Sequence, residues 1–344
     1  VRYPMALVSK PEILAELVNK RHLSSLDVAD AFYQIPLTKR AQPLTAFYSY
    51  THGLRMCFNR APQGLRNSPL YLKILLDMVF KDMQHQVLYY ADDLLIATDG
   101  SMKHHLDTIH EVLKKLINAG LKLRPQKLLL ARQSIEFLGM IFERGTVNIP
   151  SLRLETFKNT PTPTTAKKLK SALCAFAYYR HFVPNYADLT NELMTLANGP
   201  AKQFKFTAAN EKDFRELIQT ICNHSRTYFP DKNLPFYVQT DASKLCAGGR
   251  VYQMKKIDGE DCEMLIAAVS RTFTATERNY STYKKEALAL IYTLRTMDFY
   301  LRFAPKLIIL IDAKALTYLR LAKEASDILL RFSLEISKYE AEIH

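Results

Sequence analysis

The sequence predicts an α+β and α/β protein of two or three domains, and three features carry that expectation. Strand-like runs alternate with two amphipathic helices over roughly the first 150 residues. A Thr- and Pro-rich run, Thr160 to Thr165, then marks a change of organisation and opens a mainly helical stretch to about residue 229. Beyond Leu234, three strand-like runs precede one long helix and a further apolar strand, the order expected of a domain with its own sheet. At 344 residues the chain is too long for one small core and long enough for such a division.

Taken in order, the first strand approaches Asp27 through Leu23 and Leu26, and Phe32 and Ile35 follow it. A helix over 69–83 opens at Pro69 and spaces Leu72, Leu75, Leu76, Val79 and Met83 along one face. Val87 to Thr98 reads as strand, turn, strand, with Ala91-Asp92-Asp93 in the turn. The second helix, 104–119, places Leu106, Ile109, Leu113, Leu116 and Ile117 on a stripe and stops at Gly120. In the second half a helix is expected from about Tyr280 to Leu301, then a strand Leu307 to Ile311 and two more helical stretches.

Composition narrows the partners. Lys plus Arg number 47 against 34 Asp plus Glu, and a net charge of +13 favours a polyanion such as nucleic acid. Cys57, Cys174, Cys222, Cys246 and Cys262 form no CxxC pair, so neither a zinc ribbon nor a disulfide framework is indicated and a reducing compartment fits. His104, His105 and His110 share a helix without nearby thiolates, which reads as a solvated face. No apolar stretch approaches the length that crosses a bilayer. The chain opens Val1-Arg2-Tyr3-Pro4 without a Met or a secretory signal, and is expected to start inside a longer reading frame.

Two sets of acids stand where apolar runs end. Asp27 is one; Asp92 and Asp93, between Leu88-Tyr89-Tyr90 and Leu94-Leu95-Ile96, are the others. A hairpin turn also favours Asp, and an aspartate at a strand end is common. Together, however, two adjacent strands can bring three carboxylates to one rim, a donor set for hard divalent cations. Two such ions about 4 Å apart are a device for phosphoryl transfer. Alternation along a strand makes Asp92 and Asp93 inequivalent, with Asp92 the expected direct ligand and Asp93 the weaker contributor. In the second half Asp241 ends the run Phe236-Tyr237-Val238-Gln239-Thr240, Glu286 sits among Ala287, Leu288, Leu290 and Ile291, and Asp312 closes Leu307 to Ile311. Acids at two strand ends and on one helix suggest a second site of the same kind.

Leu26-Asp27-Val28-Ala29-Asp30-Ala31-Phe32 resembles motif A of reverse transcriptases, Pro62-Gln63-Gly64-Leu65-Arg66-Asn67-Ser68-Pro69 their motif B, and Tyr90-Ala91-Asp92-Asp93 their YxDD motif C. Gly120-Leu121-Lys122-Leu123 through Lys127, and Phe137-Leu138-Gly139, resemble motifs D and E of gypsy-type LTR retrotransposons. Tyr178-Tyr179-Arg180-His181-Phe182-Val183 is similar to the connection segment of that group. Thr240-Asp241-Ala242-Ser243, Asn279-Tyr280-Ser281-Thr282 and Glu286-Ala287-Leu288-Ala289 are similar to the attached ribonuclease H domain.

The resemblance implies a right-hand polymerase palm and thumb, a connection segment, and then a ribonuclease H-like domain. The boundaries are 1–150 (palm, partial fingers, start of thumb), 151–233 (thumb and connection) and 234–344 (ribonuclease H-like). It implies that Asp27, Asp92 and Asp93, with the Val28 carbonyl, hold two Mg2+ or Mn2+ ions, and that Asp241, Glu286 and Asp312 hold two more. Asp30 and Ala31 would meet a dNTP triphosphate through backbone amides, Phe32 would exclude a 2′-hydroxyl, Gln63 would touch the nucleotide, and Lys127 would assist the leaving pyrophosphate. The implied partners are an RNA template, a DNA primer, RNA–DNA hybrids, and the protease, integrase and capsid of the same polyprotein. The implied place is the cytoplasm, in virus-like particles, without a membrane.

Departures are confined. Leu128 and Leu130 replace a usual Cys and Phe, Cys174 a usual Gly, and Asp312 is followed by Ala313 where the family often has His. The fingers strand pair and a fourth ribonuclease H acid are expected to lie outside the two ends of the chain. The expected activity is thus RNA-directed DNA polymerisation with hybrid-specific RNA cleavage. The alternative is a non-catalytic, nucleic-acid-binding relic that keeps the fold, and the truncated chain itself is a candidate for inactivity.

Overall fold

The computed structural model describes residues 16–17, 20–143, 145–200, 203–302, 304–311, 334, 336–339 and 341–344. The chain divides into two compact units, residues 1–144 and 145–344.

In the first unit, β1 (His22–Asp27) is followed by a short hairpin, β2 (Phe47–Ser49) and β3 (Leu54–Met56), and by helix α1 (Ser68–Val79). Next come β4 (Val87–Tyr90), β5 (Asp93–Thr98), helix α2 (Met102–Asn118), β6 (Leu129–Arg132) and the hairpin β7 (Ser134–Phe137) and β8 (Met140–Glu143). The main sheet has the order β4-β5-β1-β6, with antiparallel neighbours. Residues alternate across it. Leu26, Leu94 and Ile96 join Leu72 and Leu76 of α1 and Ile109, Val112 and Leu116 of α2 in one core, so both helices cover that face. Asp27 and Asp93, cross-strand partners, belong to the opposite face.

Two expectations are corrected here. The buried stripe of α2 is His105, Thr108, Ile109, Val112 and Leu116, while Leu106 and Ile117 are exposed. Rotating the stripe puts His105 inside, and the solvated-face reading fails for that residue. Its Nε2 meets Ser24 Oγ at 2.8 Å and its Nδ1 meets Thr98 Oγ1 at 2.9 Å, so two strand hydroxyls satisfy a polar ring the helix buries. The turn after β4 is also shorter than expected, because Asp93 already pairs with Tyr90 and Asp27 as a strand residue.

The second unit opens with β9 (Thr146–Asn148), then helices α3 (Ser151–Lys158), α4 (Ala166–Ala177), α5 (Tyr186–Asn198) and α6 (Ala208–Asn223), and β10 (Arg226–Tyr228), which pairs with β9. Caps follow the sequence: Thr165 accepts the Lys168 N–H, and Thr207 and Asn210 form a reciprocal capping box. Phe157, Phe176 and Phe214 join these helices edge to face and tilted, with centroids 4.9 and 5.7 Å apart.

The larger sheet has the order β13-β12-β11-β14-β15, from β11 (Phe236–Ala242), β12 (Cys246–Ile257), β13 (Glu260–Thr272), β14 (Leu307–Leu310) and β15 (Ala341–Ile343). β14 runs parallel to β11, and the crossover between β13 and β14 contains the long helix α7 (Thr282–Leu301). Leu290, Ile291, Leu294 and Met297 bury one face of α7 against Val238, Val251 and Ile309. A Cβ built on Gly249 would lie 2.0 Å from Thr293 Oγ1, so glycine there permits the close approach of helix and strand. The helix begins at Thr282 behind Ser281, two residues later than expected. Asp312 and most of the two helical stretches expected after it lie outside the described residues.

Candidate active site

The first group of acids is assembled by strand register. Antiparallel pairing of β1 with β5 sets Asp27 opposite Asp93, so both side chains leave the same face of the sheet. The two-residue turn Ala91–Asp92 closes the hairpin with Ala91 at φ +56°, a left-handed conformation that costs a residue with a Cβ. The carbonyl of Asp92 accepts the Val28 N–H at 3.0 Å, which ties the turn to the end of β1. Partial desolvation at the crowded rim, then the charges of Asp92 and Asp27, push the carboxyl of exposed Asp93 above the usual range, while Lys127 pulls the other way. Asp93 thus carries the charge of both other acids of the group.

Asp27 is the buried member, 7% exposed, and cations stand beside it. Lys127 Nζ lies 3.0 Å from Oδ2, and Arg124 Nε lies 3.5 Å from Oδ1. The Arg124 contact is ionic without hydrogen-bond geometry, and Oδ1 is buried with no hydrogen-bond partner. A carboxylate oxygen so placed has unused acceptor capacity. Arg124 also donates to Asp30 Oδ1 at 2.8 Å through Nη2, and its backbone N–H donates to the Asp27 carbonyl at 2.9 Å. Sequence reading passed over Arg124; its spacing three residues before Lys127, on the segment that returns to β1, is the only signal it left.

The turn after β1 is held from two sides. Asp30 adopts φ +47° ahead of the 3₁₀ turn Ala31–Gln34, whose first N–H groups lack intrahelical acceptors. Gln34 Oε1 accepts the Lys122 N–H at 2.6 Å and its Nε2 donates to the Lys122 and Ala29 carbonyls. Gln34 is a second residue that sequence reading missed. Phe32 is partly buried against the core of the unit. The Ala61 N–H donates to the Ile35 carbonyl and the Leu37 N–H to the Asn59 carbonyl, which lays the segment leading to exposed Gln63 alongside the turn.

In the second unit Asp241, near the end of β11, is exposed beside a cavity of about 410 Å3 also lined by Asn185, Gln239, Gly248 and Arg250. Glu286 lies on α7, 9% exposed, seven residues before Thr293 and so on the helix face that meets the sheet. Asp312, the third expected acid, is outside the described residues.

Among the described residues no three His, Cys, Asp or Glu side chains converge closely enough to hold a metal ion as they stand. At the first site the donor chemistry nonetheless suits a hard cation: two acids share a face, a third closes the turn, and the buried Oδ1 of Asp27 is without a hydrogen bond. Among the described residues, no helix is long and apolar enough to cross a membrane.

Comparison with known proteins agrees with the fold. Residues 3–142 match a family model described as reverse transcriptase (RNA-dependent DNA polymerase), and residues 231–339 match one described as an RNase H-like domain found in reverse transcriptase. The retrovirus-related Pol polyprotein from transposon opus of Drosophila melanogaster is 28% identical over 341 residues, covering 96% of this chain and 33% of the relative. That from transposon gypsy of the same fly is 27% identical over 99% of this chain and 33% of its own length. The enzymatic polyprotein of cauliflower mosaic virus is 27% identical over 86% of this chain and 43% of its own. The chain spans about a third of the length of the fly relatives. A foamy viral protease-reverse transcriptase dRH in complex with double-stranded DNA superposes with a TM-score of 0.81 at 24% identity, over 100% of this chain and 60% of that one. The foamy viral protease-reverse transcriptase with an RNA/DNA hybrid gives 0.77 over 98% of this chain and 45% of that one.

Proposed function

For a chain that belongs to the reverse transcriptase family and carries the ribonuclease H-like domain of retrotransposon Pol proteins, we propose RNA-directed DNA polymerisation at the Asp27 site. Residues 1–150 serve as palm with partial fingers, 151–233 as thumb and connection, and 234–344 as a ribonuclease H-like domain that cleaves RNA in hybrids. The observation that carries the reading is the pairing of Asp27 with Asp93 beneath the Ala91–Asp92 turn, with one Asp27 oxygen buried and accepting no hydrogen bond.

Asp27, Asp92 and Asp93, with the Val28 carbonyl, are the groups that would hold two Mg2+ or Mn2+ ions. Such ions lower the pKa of the attacking hydroxyl and steady the leaving oxygen. The chain's own residues do the rest. Amides of Asp30 and Ala31 receive the dNTP triphosphate at the start of a 3₁₀ turn clamped by Gln34. Phe32, backed by the core, limits space under the sugar. Gln63 touches the nucleotide from the loop laid beside that turn. Lys127 holds charge against Asp27 until the triphosphate arrives, and then faces the departing pyrophosphate. In the second unit Asp241, Glu286 and Asp312 would hold a second pair of ions.

Template, primer and hybrid are the proposed partners, with the protease, integrase and capsid of one polyprotein and virus-like particles in the cytoplasm as the setting. The test is primer extension by Asp27→Asn and Asp92→Asn, with hybrid cleavage measured on the same preparations. Extension should fall by at least about 10²-fold in both, equivalent to about 3 kcal/mol of barrier. Cleavage should be spared. Extension within a few-fold of the parent for both variants would remove the polymerase assignment.

A further inference from the structure

The hairpin β2–β3 carries a face that the carboxylate site does not use. Register pairs Tyr48 with Arg55, Phe47 with Met56 and Ser49 with Leu54. Tyr48 and Arg55 therefore stand side by side on one face, and Tyr50 closes edge-on against Tyr48 at 5.2 Å between centroids. Phe47 belongs to the other face and packs on Phe58 at 5.2 Å. Tyr48 is 55% exposed and Tyr50 92%, so both rings give most of their surface to solvent.

Charge along this stretch of the chain is one-signed. From Ala31 to Leu76 the sequence holds no Asp or Glu, while Lys39, Arg40, Arg55, Arg60, Arg66 and Lys73 are all cationic. Lys73 pairs with Asp77; the other five are exposed. Two open rings beside a guanidinium, in a stretch of chain with no acid, suit a ligand with flat faces and a phosphate backbone. A duplex keeps its base faces stacked inside, so the fit is to unpaired nucleotides. A second copy of the hairpin would bring the same positive charge against itself, which disfavours self-association through this face.

With nucleic acid as partner, the premise proposed above, we infer that Tyr48, Tyr50 and Arg55 form a binding site for a single-stranded segment of RNA or DNA. Bases stack on the two tyrosines and Arg55 meets the backbone. The site is separate from the carboxylates and takes its ligand without sequence preference, because every base offers a π-face.

The test compares a blunt RNA–DNA hybrid with the same hybrid bearing a single-stranded extension of about ten nucleotides, a length within the range one stacking surface covers. Anisotropy of a labelled strand gives both affinities, and heparin serves as a polyanion without bases. The parent should bind the extended hybrid at least about tenfold more tightly than the blunt one, as stacking of one or two bases implies. Tyr48→Ala/Tyr50→Ala should abolish that preference while blunt-hybrid and heparin binding stay within about twofold, since no phosphate contact is lost. Arg55→Gln should lower the salt slope for the extended hybrid by about one. The chain has no Trp, so quenching of tyrosine fluorescence by the extension, lost in the double variant, gives a second readout. Equal binding of blunt and extended hybrids by the parent would overturn the site while leaving the nucleic-acid partner standing. Binding of neither would overturn both. A concentration-dependent dimer in sedimentation, abolished by the double variant, would overturn it in favour of a contact between copies.

Discussion

Lys127 Nζ stands 3.0 Å from Asp27 Oδ2, so the acid expected to receive a divalent ion is already met by an ammonium group. The same lysine lowers the cost of crowding Asp93 beside Asp92 and Asp27. A cation in that position competes with a metal for Asp27, yet under the proposed chemistry it also faces the leaving group. Lys127→Gln should therefore separate two quantities. Mn2+ binding, followed by electron paramagnetic resonance without nucleotide, should tighten by a few-fold, while primer extension falls by about 10²-fold, the low end of the range for a lost proton donor. Weaker Mn2+ binding in the variant would contradict the competition.

Phe32 is backed by the core of its unit, which makes it a firm wall and not a mobile side chain. Phe32→Val removes bulk without adding a polar group. The ratio of dNTP to rNTP incorporation efficiency should drop by at least about tenfold, because exclusion of a hydroxyl here depends on volume. An unchanged ratio would take Phe32 out of the sugar-gate role and leave it a core aromatic.

How much of this was legible in the sequence depends on what fixes each feature. The strand end at Asp27 and the strand order of the larger sheet follow from local signals, and α1 opens within one residue of Pro69 but stops at Val79, short of the expected Met83. The division of the chain falls at 144/145, ahead of the Thr160–Thr165 run, because the helices on both sides of that run pack together. The rotation of α2 did not follow, because a stripe of Leu106, Leu113 and Ile117 is as apolar as the one used. What chose between them was tertiary: Ser24 and Thr98 offer hydroxyls to His105, and a leucine at that position would leave both without this partner. Gln34 was invisible for a similar reason, and Arg124 showed only its spacing from Lys127. Each acts across about ninety residues, and nothing near either one in the chain announces the partner.

His105 gives a pH prediction. Burial, then the nearby His22 and His104 charges, pull its pKa down to about 4 from an ordinary value of 6.5. Ser24 Oγ also accepts the Ala131 N–H at 2.9 Å, so its own proton is available to Nε2, which suits a neutral ring protonated on Nδ1. The unfolded chain takes up this proton first. Its contribution is therefore complete above pH 6.5 and is lost as pH falls towards 4, by up to about 3 kcal/mol. Hydrogen exchange of the β1 and β5 amides, read at pH 7 and 5, should show opening become easier in the parent. His105→Gln should be less protected at pH 7 and flatter between the two values. A parent profile as flat as the variant's would show that the ring is not held neutral.

Gly249 and Thr293 allow a prediction about the second unit that is independent of any activity. A methyl at position 249 would meet Thr293 Oγ1 at 2.0 Å and Cγ2 at 2.8 Å, and Thr293 is fully buried on α7 with its hydroxyl donated to the Ala289 carbonyl at 2.8 Å. Neither group has room to turn aside, so Gly249→Ala must push helix and strand apart. The expected cost is about 1–3 kcal/mol, the range for overpacking a core. Thr293→Ala alone should cost about 1 kcal/mol through the lost contacts and hydrogen bond. It also removes both colliding atoms, although its own Cβ, at 2.9 Å, stays tight. The double variant should therefore be less destabilised than the sum of the singles by about 1 kcal/mol, measured as protection of β11 and β12 amides. Strict additivity would mean that the helix yields freely at this point, and that the glycine is there for some reason other than close packing.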